Sequence, residues 1–117
     1  MEQSNMDELR SELKRGTIEM ILLILLSNKE MYGYQLVSEL EKRGGALFQV
    51  KEGTLYPVLY RLEDKGFIES YRDIPERGVP RKYYKLTKSG VSYLQALLSE
   101  WQSFAATIES FIEPKEI

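Results

Sequence analysis

The chain has 117 residues, 43% hydrophobic and 29% charged, the size and balance of one globular domain. It contains neither cysteine nor histidine, which excludes disulfides, thiolate zinc sites and Ser-His-Asp, Cys-His or zinc-hydrolase chemistry within the chain. The net charge of −2 divides unevenly, as −2 over residues 1–50, +3 over 51–88 and −3 over 89–117; a basic middle in an acidic chain suits either a local face for a polyanion or a solvated hairpin.

The polar, acidic start MEQSNMDELR does not read as a secretory signal. Residues 7–27 read as one helix, because Leu9, Leu13, Met20, Ile21 and Ile24 recur at helical spacings, with Gly16 and Thr17 weakening its middle. The longest apolar run, Met20 to Leu26, falls far short of the roughly 20 residues that span a bilayer, so it predicts a buried helix. No membrane partner and a cytoplasmic location are expected. Asn28 and Lys29 predict a turn.

Residues 32–43 predict a second helix with a Leu36, Val37, Leu40 stripe, stopped by Gly44 and Gly45. ALFQV at 46–50 reads as a short strand. Residues 53–65 predict a third helix. At 100° per residue, Leu55, Val58, Leu59 and Leu62 share one face, and Gly53, Pro57, Tyr60, Arg61 and Asp64 share the other. Thr54 lies near that second face and Tyr56 at its edge. Pro57 lacks an N–H, so the helix is expected either to start close to it or to have a distorted first turn. Gly66 closes the helix.

FIESYR (67–72) and RKYYKL (81–86) predict two strands joined by a long, mobile loop at 73–80. Tyr83 and Tyr84 alternate, so one is expected in the core and one at the surface. Thr87 is placed to cap a last helix. In that helix Leu94, Leu97, Trp101, Phe104, Ile108 and Phe111 step by 3, 4, 3, 4, 3, a heptad seam widened by Leu98, Ala105 and Ile112 and ended by Pro114. The order helix, helix, helix, hairpin, long helix defines a mainly α fold with a small β-hairpin wing: a winged helix-turn-helix with a long C-terminal dimerisation helix. The expected division is a DNA-binding domain at 1–90 and a dimerisation helix at 91–117.

The stretches RGTIEMILLILLS (15–27), MYGYQLVSEL (31–40), GTLYPVLYRLEDKGFI (53–68) and RKYYKLTKSG (81–90) resemble the PadR family of bacterial transcriptional regulators, in order and spacing. The short tail carrying Trp101 resembles the compact subgroup that includes multidrug-sensing repressors. The resemblance implies a winged-helix homodimer, built on its first and last helices, that binds a near-palindromic operator in double-stranded DNA. The sequence departs from that family at Lys51, where a capping Ser or Asn is common; a cation there suits the positive helix end only if it faces a phosphate.

The residues that fit DNA contact are Thr54, Pro57, Tyr60 and Arg61 on the third helix, with Tyr56 at its edge. Tyr34 and Lys51 lie at helix starts, and Arg77, Gly78, Arg81 and Lys82 lie on the wing. For each, an ordinary solvated or packing role is the competing reading. Leu97, Glu100, Trp101, Phe104 and Ile108 fit a dimer core. They also fit a slot in which Trp101 and its symmetry mate sandwich an aromatic or cationic drug-like ligand. No catalytic residue, metal site or cofactor is indicated, since neither a glycine-rich phosphate loop nor a paired-carboxylate motif is present. No enzymatic activity is therefore expected, and the resemblance implies a transcriptional regulator whose usual role in the family is repression, which a ligand at the dimer interface could relieve. The alternative is a winged-helix module that binds a protein and lacks specific DNA binding.

Overall fold

A computed structural model describes residues 3–112. Its elements run α1 (Gln3–Lys14), α2 (Thr17–Asn28), β1 (Met31–Tyr32), α3 (Gly33–Gly44), a 3₁₀ turn (Gly45–Phe48), α4 (Glu52–Asp64), β2 (Ile68–Asp73), β3 (Arg81–Leu86) and α5 (Lys88–Phe111). Pro114, the expected stop of α5, lies outside the described residues.

The apolar run becomes the centre of the molecule. Leu22, Leu23, Leu25 and Leu26 of α2 are all buried, as expected of a helix that is apolar on every side. Around α2 pack α3, α4, α5 and β3. Leu36 and Leu40 enter from α3, Leu55, Leu59 and Leu62 from α4, and Ile68, Tyr84 and Leu94 from the elements that follow.

The predicted helix at 7–27 is in fact two helices. Gly16 adopts φ 85°, a left-handed conformation that glycine tolerates and other residues resist. The Thr17 hydroxyl donates to the Lys14 carbonyl at 2.6 Å and closes the end of α1. The predicted strand at 46–50 is also corrected: Gly45–Phe48 forms a 3₁₀ turn. The chain must turn at once after α3, and Phe48 folds back so closely that a Cβ on Gly44 would lie 2.5 Å from its Cβ. An extended strand offers no such return.

The sheet is antiparallel, in the order β1-β3-β2. The two residues of β1 escaped the sequence reading; they pair as Met31 with Tyr84 and Tyr32 with Tyr83. The β2–β3 hairpin runs from Ile68 opposite Leu86 to Asp73 opposite Arg81. Its loop at 74–80 is exposed throughout. Tyr84 is fully buried and Tyr83 half-buried, as the alternation predicts.

Thr87 caps α5, its hydroxyl accepting from the Gly90 N–H at 3.0 Å. The first turn of α5 presses on the link between α4 and β2: a Cβ on Gly90 would lie 1.9 Å from the Phe67 carbonyl oxygen. The expected domain boundary after residue 90 falls within this turn. α5 is anchored through Gly90 and Leu94 and then runs on with exposed faces. No described helix is long and apolar enough to cross a membrane.

Candidate nucleic-acid interface

α4 sorts its side chains as its periodicity predicts. Leu55, Val58, Leu59 and Leu62 are buried, whereas Thr54, Pro57, Tyr60 and Arg61 are exposed. The helix begins well before Pro57. Lys51 stands at the N-cap and makes no side-chain cap; its carbonyl accepts from the N–H groups of Thr54 at 2.9 Å and Leu55 at 3.0 Å. The first of these is a 3₁₀ bond, so the first turn is tightened. Glu52 follows, an anion at the positive end of the helix, where it is favourable. Pro57 is tolerated inside α4 because it is exposed, so water can satisfy the Gly53 carbonyl that its ring leaves without a donor.

Tyr56 is half-buried and packs. Its hydroxyl occupies the space where a Cβ on Gly33 would lie, 2.2 Å away, so this glycine lets the start of α3 close on α4. Burial, and then the charge of Glu52, push the Tyr56 hydroxyl above its ordinary pKa. Tyr60 lies beside it with ring centroids 6.1 Å apart, and is about half exposed. Tyr34, on the first turn of α3, is exposed.

The wing divides its cations between two faces. Lys82 shares the face of Tyr84, toward α4. Its ammonium lies 3.9 Å from Glu63 Oε1, 5.6 Å from the Tyr60 ring and 5.4 Å from the Tyr84 ring. Arg81 is on the other face. Its guanidinium sits 4.6 Å over Tyr32, which meets Tyr83 edge-on at 5.3 Å; Tyr83 in turn stacks on Tyr71 at 5.7 Å. At the end of this ladder the Tyr71 hydroxyl donates to Glu30 Oε2 at 2.5 Å, and that bond above all pushes its pKa up to about 12. The structure thus brings Lys82 to Tyr60 and Arg61's helix but sets Arg81 apart, while Arg77 and Gly78 stand on the exposed loop, Gly78 at φ 108°.

Sequence reading missed three residues of this region. Arg72 pairs across the hairpin with Lys82 and so shares its face; two-residue counting from buried Ile68 identifies it. Ser70 and Glu63 are joined by a 2.6 Å hydrogen bond from the serine hydroxyl to the Oε2 carboxylate oxygen. Nothing in the sequence pattern marks that pair, because their meeting depends on how the sheet docks on α4.

Along α5, Leu97 is half-buried and Glu100, Trp101, Phe104 and Ile108 are exposed. Phe104 is 66% and Phe111 82% exposed, which is unusual for large apolar side chains on one seam. Leu97, Glu100, Trp101, Ser103, Phe104 and Thr107 line an open groove of about 430 Å³. Leu9 and Leu13 of α1 are exposed as well.

A helical core carrying a helix-turn-helix and a three-stranded wing is the winged-helix architecture. Comparison with known proteins agrees with it. The model of the PadR-like family of transcriptional regulators matches residues 21–96. An uncharacterised protein of Lysinibacillus sphaericus is 41% identical over 107 residues, 92% of this chain and 98% of that one. The crystal structure of a PadR family transcriptional regulator from Eggerthella lenta superposes with a TM-score of 0.84 at 32% identity, covering 95% of each chain. Bacillus subtilis PadR, solved in complex with operator DNA, superposes with a TM-score of 0.64 at 32% identity over 70% of this chain and 46% of its own. The chain belongs to the PadR-like family of transcriptional regulators, which is not a family of enzymes.

Proposed function

We propose that this protein is a homodimeric, sequence-specific DNA-binding repressor that acts in the cytoplasm. The observation that carries the reading is the exposed Thr54, Pro57, Tyr60, Arg61 face of α4 beside Lys82, in the one basic stretch of an acidic chain. α4 enters the major groove, where Arg61 suits a guanine edge and Tyr60 an adjacent base or phosphate. Lys51 at the helix start, Tyr34 and Tyr56 beside it, and Arg77, Gly78, Arg81 and Lys82 on the wing supply backbone contacts. The operator-bound structure of Bacillus subtilis PadR supports this reading by relationship.

Residues 91–117 serve dimerisation, with the exposed seam of α5 as its apolar core. Two copies set their α4 helices about one turn of DNA, roughly 34 Å, apart. The groove at Trp101 accepts a planar aromatic or cationic ligand between subunits, with Glu100 favouring a cation. A ligand that prefers one spacing of the two α4 helices then releases the operator.

Fluorescence anisotropy on a duplex from upstream of the protein's own gene, with scrambled DNA as control and salt varied, tests the DNA reading. Nanomolar affinity for the first, much weaker affinity for the second and a steep salt slope are expected. Equally weak binding to both would refute specific DNA binding by this upstream site and turn attention to a protein partner.

A further inference from the structure

Glu63 stands on α4 one turn after Tyr60, and its two carboxylate oxygens do different things. Oε2 accepts from the Ser70 hydroxyl on β2 at 2.6 Å. Oε1 faces the Lys82 ammonium on β3 at 3.9 Å. That ammonium lies 5.6 Å from the Tyr60 ring, on the exposed side of α4. The half-buried carboxylate therefore meets both strands of the wing, bonding Ser70 on β2 and facing the Lys82 cation on β3.

The Ser70 bond needs only an oxygen at this position, which a glutamine would also supply, and neither the ion pair's stability nor simple electrostatics accounts for the charge. The Glu63 and Lys82 side chains are 32% and 43% exposed, and exposed ion pairs contribute little to folding. A carboxylate beside a surface that meets a polyanion opposes binding by its own charge. Lysine, however, is long and flexible, and a free one loses much rotamer freedom on meeting a phosphate. Ordering it beforehand removes that loss.

The geometry points to Glu63 as a positioning residue for DNA binding: anchored by Ser70, its carboxylate holds Lys82 over Tyr60, so that wing and α4 present one rigid pair. This rests on the DNA-binding reading above. Its consequence has an unusual sign, because neutralising an acid at the DNA-binding face weakens DNA binding.

The test uses the full-length protein on the upstream duplex and on random-sequence duplex across a salt series. Glu63→Gln keeps an oxygen for Ser70 and loses the charge. It is expected to bind both duplexes about 3–10-fold more weakly, with a salt slope smaller by up to about 1, as for Lys82→Met. The double variant is expected to bind no more weakly than Lys82→Met alone, since both substitutions remove the same contact. Ser70→Ala, which alters no charge and guards against misfolding of the glutamine variant, is expected to weaken binding in the same direction, with cooperative unfolding retained and a thermal midpoint lower by roughly 5 °C. Equal or tighter binding by Glu63→Gln, or additive effects in the double variant, overturns the positioning role while leaving the DNA reading intact. Wild-type protein that binds neither duplex overturns both.

Discussion

At the scale of single residues, the most exacting positions are those where one atom decides. The Tyr84 hydroxyl is buried without a hydrogen-bond partner among the described residues, and burial pushes its pKa from 10.0 up to about 12. An orphaned buried hydroxyl costs free energy, so Tyr84→Phe is expected to stabilise the protein by about 1 kcal/mol in thermal or urea unfolding. The same group sets an alkaline limit. Between pH 10 and about 12 the unfolded chain has released this proton and the folded chain retains it, so stability falls as pH rises through that window. Tyr71, also raised to about 12 by its bond to Glu30, adds to the slope with the same sign. Urea midpoints measured across that range should decline less steeply in Tyr84→Phe. Gly90 presents the opposite constraint. Its missing Cβ leaves room for the Phe67 carbonyl oxygen at 1.9 Å, so Gly90→Ala is expected to cost about 2–3 kcal/mol. Gly53→Ala, inside α4 and with a Cβ that meets nothing within 4 Å, is the control and should leave stability unchanged or raise it by up to about 1 kcal/mol.

At the scale of elements, each helix end has its own cause. α2 begins at Gly16 because the left-handed turn there redirects the chain. α5 begins at Thr87, whose hydroxyl both accepts from Gly90 at 3.0 Å and donates to the Gly66 carbonyl at 2.6 Å. One side chain thus caps α5 and ties it to the turn that closes α4. Thr87→Ala removes both bonds and is expected to cost about 1–2 kcal/mol by denaturant unfolding, toward the upper end for a single cap. A loss of a few tenths would mean that Ser89, which also bonds the Gly66 carbonyl at 2.9 Å, takes over.

At the scale of the whole molecule, the exposed seam of α5 is the feature that a lone protomer leaves unexplained. With 24 residues, α5 extends about 36 Å, and only its start is fully buried in the core. If two copies bury the seam, Phe104→Glu with Ile108→Glu should convert the dimer to monomer in sedimentation, and should weaken operator binding far more than random-duplex binding, since two linked reading heads become one. A monomeric wild-type protein at micromolar concentration would remove the dimer reading. The Trp101 groove has its own test: planar cationic dyes are expected to quench the emission of this lone tryptophan, and unchanged emission with several dyes would sink the ligand slot.

Much of this architecture was legible in the residues because it depends on local periodicity. Leu55, Val58, Leu59 and Leu62 declare the buried face of α4, and thereby its exposed one, at any orientation of the helix. Thr87 and the heptad steps from Leu94 likewise need only neighbours in the chain. What escaped depends on contacts between distant segments. β1 is two residues long and exists because Tyr83 and Tyr84 offer it an edge. The 46–50 segment has strand-like residues, yet the return of Phe48 over Gly44 makes it a 3₁₀ turn. The sequence by itself determined α3, α4, α5 and the basic wing, since local spacing and composition suffice for those, and its motifs carried the resemblance to the family. Only the tertiary structure decided which face of the wing turns to α4, so that Lys82 and not Arg81 meets Tyr60, and that Glu63 reaches two strands, because the docking angle of sheet on helix is set by the packed core as a whole.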